Sequence, residues 1–459
     1  MKTHHRWMRS ILFAGAIALL LSCGGGGGGG STGSLGNLNS SSSSSGTGSG
    51  SSDGTGTGST GTDGTGTAGG TDGSGGTDGT STAGNGSDDG SGVGSGGTGV
   101  STADATGVGS VGGLGSIILN GVRYDTDTAT TSLEDTTELQ IGMSVRIAGK
   151  IDSEFTAATA QQVASAAELR GAVSAIDVTG GSFVVMGTTV TVDNATVWSN
   201  VSGLAQVAAG DVVQVWGLPS APGSLRATRV ELKPASTEPL VTGTVQNLDL
   251  IGQRFTLGQL TVRYTGAVFS GGIDQATLAE GAIVRVRGSV APIAGLFSAT
   301  KVQGWYAIPT QNATAVQLAG VVTDYNGIGD FKVLGTVINA SNAQIPPGQL
   351  TSIGNGVKVE VDGFMSNGIL VAKKLRVRNI PGVGGPVVFT VIGPIAHYQS
   401  ASDFMVKGQR VNAGGSGTVF ENGTVADLAN LPPGRQIAVV GNAVVDGVLI
   451  AQTVSFLPP

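Results

Sequence analysis

The stretch from Ile283 to Gln303 decides the fold of this chain. It opens with Ile283-Val284-Arg285-Val286-Arg287-Gly288, in which apolar and polar residues alternate before a glycine. It closes with Leu296-Phe297-Ser298-Ala299-Thr300-Lys301-Val302, a second strand-like run that follows a turn containing proline and glycine. Alternation with a period of two is typical of a strand that is buried on one face only. The stretch therefore predicts a β-hairpin.

The same pattern occurs five times along the chain. Two and four positions before each closing glycine the residue is aliphatic, at Ile147 and Val145, Val215 and Val213, Val286 and Val284, Val361 and Val359, and Val439 and Ile437. The partner strand carries an alanine three positions before a Val or Leu, at Ala160, Ala227, Ala299, Ala372 and Ala451. The alanines are spaced by between 67 residues (160 to 227) and 79 residues (372 to 451). A period of this length indicates tandem small domains rather than a solenoid.

Each period contains three strand-like runs, a short segment that fits a helical turn or a loop, and the two strands of the hairpin. This is the strand order of the OB-fold, a small five-stranded barrel. A chain of open five-stranded sandwiches would show the same pattern. We expect an all-β protein of five tandem OB-like barrels that fold separately. The predicted repeats are residues 108–166, 167–236, 237–309, 310–381 and 382–459.

The N-terminal part of the chain has a different composition. Residues 1–22 have a basic start and a short apolar run, which predicts a secretory signal peptide. The run ends Leu20-Leu21-Ser22-Cys23, which resembles the bacterial lipobox, so we expect Cys23 to be lipidated. An ordinary signal peptide or a short membrane anchor is the alternative. Residues 23–107 are rich in Gly, Ser, Thr and Asp, which predicts a disordered tether because few apolar side chains are present to be buried.

Three features together resemble a known family. They are the poly-glycine start after Cys23, the segment Gly115-Ser116-Ile117-Ile118-Leu119-Asn120-Gly121-Val122-Arg123-Tyr124, and the repeated glycine followed by Ala-Thr-Lys-Val. They resemble bacterial lipoproteins of domain-of-unknown-function family 5666, from Cys23 onward. The resemblance implies a fold and an envelope location, but no activity and no catalytic residue. By resemblance to Gram-negative lipoprotein sorting, Gly24 implies the outer membrane.

Charge and composition exclude several classes of function. The formal net charge is −7, and the part from Val108 onward contains 21 basic and 24 acidic residues, a net charge of −3. A nearly neutral body argues against nucleic-acid binding. The mature chain would contain one histidine, His397, and one cysteine, Cys23. We therefore expect no zinc or other metal site, no cofactor and no Ser-His-Asp triad.

Basic and aromatic side chains give a candidate ligand-binding surface. Arg285 and Arg287 alternate with Val284 and Val286, and Lys374 and Arg376 alternate with Leu375 and Val377. Alternation places each basic pair on an outward face. Trp305 and Tyr306 stand at the end of repeat 3, and Trp216 also occupies an outward position. We expect these residues to hold an anionic ligand and to stack on sugar rings. Strand faces that are merely solvated, and aromatic packing between repeats, are the alternatives.

Two classes of function remain. The favoured one is a non-enzymatic lipoprotein of the cell envelope, anchored in the lipid bilayer through Cys23. Its tandem β-domains would act as binding or scaffold modules for an envelope glycan or an envelope protein. The alternative is a carbohydrate-active hydrolase that uses a pair of carboxylates. The sequence singles out no such pair.

Overall fold

The computed structural model describes residues 102–378 and 388–458. The predicted signal peptide, Cys23 and the predicted tether as far as residue 101 lie outside the described residues. Residues 379–387 and Pro459 lie outside them as well. Within the described ranges, no helix is long and apolar enough to cross a membrane.

The strands of the described chain fall into groups that follow the sequence repeats. Repeat 1 contains β1 (Thr102–Leu114), β2 (Ile117–Leu119), β3 (Val122–Asp125), β4 (Thr130–Leu133), β5 (Ser144–Asp152) and β6 (Ala157–Ser165). Repeat 2 contains β7 (Leu169–Asp177), β8 (Ser182–Val185), β9 (Thr188–Thr191), β10 (Val197–Ser199), a 3₁₀ turn (Leu204–Gln206), β11 (Val212–Pro219) and β12 (Ser224–Lys233).

The remaining three repeats follow the same plan. Repeat 3 contains β13 (Leu240–Asp249), β14 (Arg254–Leu257), β15 (Leu260–Arg263), β16 (Val268–Ser270), β17 (Ile283–Arg287), β18 (Leu296–Ser298) and β19 (Lys301–Gly304). Repeat 4 contains β20 (Ala315–Gly327), β21 (Asp330–Val333), β22 (Thr336–Asn339), a 3₁₀ turn (Leu350–Ser352), β23 (Lys358–Ser366) and β24 (Ile369–Val377). Repeat 5 contains β25 (Phe389–Ser400), β26 (Asp403–Val406), β27 (Gln409–Asn412), β28 (Val419–Glu421), a 3₁₀ turn (Val425–Asn430), β29 (Gln436–Val445) and β30 (Val448–Phe456).

Strand pairing within a repeat forms a ring. In repeat 1, β1 pairs antiparallel with β2 on one side and with β5 on the other. β2 pairs with β3, β3 runs parallel to β6, and β6 pairs back with β5. Repeats 2, 4 and 5 have the same order. In repeat 3 the last strand is interrupted between β18 and β19. The all-β class and the five tandem repeats are therefore confirmed.

The residues that define the sequence repeat fill the cores. All ten aliphatic positions before the closing glycines are fully buried, and the five alanines of the partner strands are 0 to 8% exposed. The second strand of repeats 2 to 5 contributes a phenylalanine that is at most 1% exposed, at Phe183, Phe255, Phe331 and Phe404. Alternation along the strands thus predicted the buried face correctly. Replacing such a core phenylalanine by alanine costs about 3–5 kcal/mol.

In repeats 1, 2, 4 and 5 the closing glycine and the alanine are cross-strand partners. Gly149 pairs with Ala160 and Gly363 with Ala372, each at a shift in the strand register. A Cβ atom added at Gly149 would lie 3.0 Å from the Cα of Ala160, and one added at Gly363 would lie 2.8 Å from the Cα of Ala372. The two backbones approach too closely for a larger residue. This explains why glycine and alanine recur together.

Backbone pairing also joins different repeats. β1 runs parallel to β20 of repeat 4 over residues 105–108 and to β25 of repeat 5 at Gly113 and Leu114. β7 of repeat 2 pairs antiparallel with β13 of repeat 3. Repeats 1, 4 and 5 therefore share one sheet, and repeats 2 and 3 share another. The repeats are stacked, and they are not separate domains strung along the chain as we expected.

The hydrophobic clusters cross the repeat boundaries in the same way. One cluster combines repeats 1 and 5, and a second combines repeats 2 and 3. A third is centred on repeat 4 but includes Val108, Leu218 and Trp305 from the other repeats. Trp216, which we predicted to face outward, is fully buried with Met143, Ala167 and Leu240 where repeats 1, 2 and 3 meet.

The first strand begins earlier than the sequence indicated. The predicted tether extends to residue 107, but β1 starts at Thr102. Its glycines permit close packing, since a Cβ atom added at Gly107 would lie 2.8 Å from Leu119. The glycines of this segment predicted disorder, whereas in the structure Gly107 lets β1 pack closely against Leu119 of β2, while the edges of β1 pair with β5 and β20.

Candidate functional site

Arg285 of β17 lies in a buried ionic cluster where repeats 1, 2 and 3 meet. Its side chain is 1% exposed, and Nη2 lies 2.9 Å from Oε2 of Glu168, which is itself fully buried. The Nε atom donates to the carbonyl oxygen of Ala167 at 2.9 Å. Burial alone would lower the pKa of Arg285, but the charge of Glu168 raises it above its ordinary value. The guanidinium is therefore a fixed cation.

Glu168 is the centre of this cluster because side chains from several elements donate to it. Thr242 donates its hydroxyl at 2.8 Å, Ser144 at 3.2 Å, and Trp305 donates Nε1 at 3.0 Å. Together with Arg285, these side chains supply hydrogen-bond donors to both carboxylate oxygens of Glu168. A buried ion pair satisfied in this way holds neighbouring parts in a defined arrangement, although it adds little net stability over an apolar pair.

Arg287 and Arg170 share Asp135, which lies in the loop after β4. Arg287 contacts Oδ2 of Asp135 at 2.7 Å and Glu134 at 2.9 Å, and Arg170 contacts Oδ1 of Asp135 at 2.5 Å. Burial alone would raise the pKa of Asp135, but its hydrogen bonds and the charges of the two arginines lower it to about 2. We call Glu134, Asp135, Glu168, Arg170, Arg285 and Arg287 the junction cluster.

Trp305 and Tyr306 pack against the junction cluster. Trp305 is 6% exposed, and its ring centroid lies 4.9 Å from that of Tyr306. The guanidinium carbon of Arg285 lies 5.4 Å from the centre of the Tyr306 ring, and the Tyr306 hydroxyl accepts a hydrogen bond from the amide of Ala166 at 3.1 Å. Burial raises the pKa of Tyr306 to about 12, in spite of the opposing charge of Arg285. These aromatic side chains pack between repeats, which was the alternative interpretation of the sequence.

Lys374 and Arg376 lie at a different contact, between repeats 1 and 4. Lys374 donates to the carbonyl oxygen of Glu154, and the adjacent Lys373 lies 2.5 Å from the Glu154 carboxylate. Arg376 contacts Asp362 at 2.8 Å and Glu360 at 3.2 Å, and it donates to the carbonyl oxygen of Asn120 at 3.0 Å. Burial raises the pKa of Asp362, although Arg376 opposes this. These basic side chains already have partners within the chain.

The candidate surface therefore requires a correction. The alternation correctly places Arg285, Arg287 and Arg376 away from the core of their own repeat, but on that face each side chain contacts a neighbouring repeat. The prediction that Arg285 faces solvent is wrong, and so is the single basic and aromatic surface across repeats 3 and 4. The sequence pattern did not identify the acidic partners Asp135 and Glu168, because both lie in loops between strands, where no alternating pattern applies. The only indication of a buried ion pair in the sequence was an arginine at a strand position that faces away from the core of its own repeat.

A large concave surface of the described chain lies between repeats 1 and 5. This cleft has a volume of about 1190 Å³. Its lining includes the carboxylates of Asp125, Asp127 and Glu138 and the cations Arg123 and Lys407. Within residues 102–378 and 388–458, no group of three or more His, Cys, Asp or Glu side chains is placed to hold a metal ion. The cleft is thus open, polar and weakly acidic.

A comparison with protein families finds one model along the chain. The model is described as Domain of unknown function (DUF5666), and it matches residues 107–163, 170–231, 242–303, 319–376 and 392–455. Each match covers one of the five structural repeats. No curated protein matches the chain.

Proposed function

This chain belongs to the family described as Domain of unknown function (DUF5666), and we propose from this premise that it is a non-enzymatic scaffold or binding protein of the cell envelope. The observation that supports the proposal is that the charged side chains form contacts between repeats. The junction cluster and the hydrogen bond from Arg376 to the carbonyl oxygen of Asn120 bind repeats to one another. A stack fixed in this way suits the presentation of a broad surface to a partner.

The cleft between repeats 1 and 5 is the proposed binding surface. Three carboxylates, two cations and several threonine hydroxyls line it, so a polar, uncharged partner such as an envelope glycan fits better than an anionic polymer. Individual contacts of this kind are weak, about 1 kcal/mol or less at an exposed position. We therefore expect weak binding that uses several contacts at once.

A binding assay tests the role of the cleft. The mature chain carrying Cys23→Ser is applied to a glycan array and to an envelope extract, and compared with the same chain carrying Arg123→Ser and Lys407→Ser. We expect the cleft changes to weaken retention of the partner several-fold. The control is Lys332→Ser, which removes an exposed lysine paired with Asp324 outside this cleft. Equal retention by all three proteins would refute the cleft as the binding surface.

The envelope location rests on Cys23. We propose that Cys23 is lipidated and anchors the chain in the outer membrane, because the chain's only cysteine follows a short apolar run within a lipobox-like sequence. Cells grown with labelled palmitate should label the wild-type chain but not Cys23→Ser. Equal labelling of the two chains would exclude lipidation at this residue.

We also propose that each repeat is an OB-like barrel within the stack. The ring of strand pairs in each repeat supports this assignment, because closure removes the free edges of a five-stranded sheet. An experimental structure of the chain would test it. Open sheets in place of closed rings would refute it.

A carbohydrate-active hydrolase is the alternative function, and the carboxylates of the cleft favour it. Asp125, Asp127 and Glu138 line the same surface, and glycoside hydrolysis requires a pair of carboxyl groups. The test is hydrolysis of envelope glycans by the wild-type chain and by Asp125→Asn and Glu138→Gln. Hydrolysis that is lost in these variants would establish the enzyme and displace the scaffold proposal.

A further inference from the structure

A second, smaller cavity lies where repeats 1, 2, 4 and 5 meet. Its volume is about 320 Å³, near the lower end of the range of roughly 300–1,000 Å³ found for small-molecule sites. Each of these repeats contributes to its wall, for example through Ser110, Thr228, Lys358 and Phe389. The cavity is distinct from the cleft between repeats 1 and 5, so an inference about it does not depend on the proposed function.

Lys358, the first residue of β23, is the unusual side chain of this cavity. It is 7% exposed and lines the cavity wall. Among the residues that the structure describes, it forms no ion pair within 4.0 Å, since the nearby carboxylates pair with arginines. Burial lowers the pKa of Lys358, and the charges of Asp193 and Glu360 oppose this only in part. An ammonium group largely withdrawn from water and without an ion pair is unfavourable unless something compensates its charge.

Each carboxylate around Lys358 has an arginine within 4.0 Å, although Oδ2 of Asp193 forms no hydrogen bond among the described residues. Asp193 lies 3.4 Å from Arg226. Glu360 is held by two arginines, at 3.2 Å and 3.0 Å, and Asp362 is held by one, at 2.8 Å. In this part of the described chain, four cations therefore face three carboxylates. The sequence of residues 379–387, which follows β24, contains no Asp or Glu that could restore the balance.

Thr228 supplies a second unsatisfied group at the same cavity. It is 4% exposed, and its hydroxyl oxygen is buried without a hydrogen-bond partner among the described residues. The residue also lines the cavity. Buried polar atoms in folded proteins are nearly always hydrogen-bonded, so an orphan hydroxyl that lines the same cavity as a lysine without an ion pair indicates a ligand that accepts from both.

We propose that this cavity binds a small oxyanion, with Lys358 as the cationic group and the Thr228 hydroxyl as a hydrogen-bond donor to it. An oxyanion supplies the missing negative charge and offers several acceptor oxygens in a small volume. The chemistry fits inorganic phosphate or sulfate, and equally a phosphate group at the end of a small molecule. Bound at the meeting point of four repeats, the anion would stabilise the stack as well.

Thermal unfolding in the presence of phosphate tests the proposal. The full mature chain is titrated with sodium phosphate, with sodium chloride at matched ionic strength as the reference. We expect a saturable rise of Tm with phosphate, because a ligand that binds only the folded state stabilises it. Lys358→Met should abolish this rise. Lys301→Met, a lysine of β19 outside this cavity, should keep it. An equal response of all three proteins, or a response of none, would overturn the site.

Two further measurements keep the test decisive. Without phosphate, Lys358→Met should unfold at a temperature no lower than wild type, because the change removes an unpaired buried charge. Thr228→Val preserves the shape of the side chain and should weaken the phosphate response several-fold; an unchanged response would exclude the hydroxyl as a ligand. Comparison of inorganic phosphate, sulfate and a sugar phosphate then shows whether the cavity takes a free ion or the terminal group of a larger molecule.

Discussion

At the scale of single residues, buried charges hold this molecule in one arrangement. Glu168 lies in the short connection between repeats 1 and 2, yet it receives donors from Ser144 in repeat 1 and from Thr242, Arg285 and Trp305 in repeat 3. Removing one partner of such a pair leaves the other charge buried and uncompensated. The position of one carboxylate therefore matters to three repeats at once.

Glu168→Gln should lower the free energy of unfolding by about 3–5 kcal/mol, the usual cost of breaking a buried ion pair. Chemical denaturation at neutral pH measures it. Glu238→Gln, an exposed glutamate of the next linker, should stay within about 0.5 kcal/mol of wild type. Adding Arg285→Met to Glu168→Gln should recover part of the loss. A loss of less than 1 kcal/mol in the single variant would show that the pair is not buried in solution.

Asp135 predicts a dependence on acid. Its pKa is about 2 in the folded chain and near 3.8 when unfolded, so its contribution is present above pH 4 and is lost as the pH falls towards 2. The expected loss from this group is about 2 kcal/mol. Denaturation of the wild type and of Asp135→Asn between pH 5 and pH 2 measures it. The variant should show a flatter profile, whereas the exposed turn variant Asp446→Asn should follow the wild type.

At the scale of elements, the hairpin of four of the five repeats has a glycine opposite an alanine. The pairs Gly149–Ala160, Gly363–Ala372 and Gly441–Ala451 each coincide with a register shift. Such a shift bends a strand and increases its twist, which helps a short sheet to curve. The closely paired strands therefore require the recurring glycine for steric reasons. This contact explains much of the pattern that repeats in the sequence.

Gly363→Ala should destabilise the chain, because the new methyl group would lie 2.8 Å from the Cα of Ala372. Overpacking of this kind costs about 1–3 kcal/mol. The matched control is Gly354→Ala in the same repeat, where an added Cβ atom meets nothing within 4 Å. Thermal unfolding should show a lower Tm for the first variant and an unchanged or slightly higher Tm for the second. An unchanged Tm in both would show that the strands can move apart.

At the scale of the whole molecule, the repeats share sheets and cores. Repeats 2 and 3 are joined through β7 and β13 and through one hydrophobic cluster that includes Val286. Repeats 1 and 5 are joined through β1 and β25 and through another. A tandem sequence therefore does not imply that the repeats unfold one at a time.

Val286→Asp should consequently unfold repeats 2 and 3 together. A carboxylate in the shared core costs several kcal/mol, and neither repeat retains a complete core without the other. Hydrogen exchange should show loss of protection in both β7–β12 and β13–β19. Ile251→Asp, at a position 98% exposed, should leave protection unchanged. Loss confined to repeat 3 would show that the repeats are independent.

The sequence predicted what depends on neighbours along the chain. Alternation identified the strands and the buried Val284 and Val286, because both follow from the local period of a strand. It did not show what covers the opposite face. Arg285 and Trp216 are buried by residues from other repeats, and no local pattern specifies such packing. The pairing of β1 with β20 and β25 was hidden for the same reason.

The position of β1 has a consequence for how the protein is made. Ala105 pairs with Ala315, which is synthesised about 210 residues later, and Gly113 pairs with Thr390, later still. At roughly 5–20 residues per second, the outer edge of β1 waits on the order of 10–40 s for its partner. An unpaired strand edge is a template for wrong partners during that interval. During this interval, β1 of the nascent chain must be kept from pairing with other molecules. The interval ends when repeats 4 and 5 have been synthesised and pair with β1.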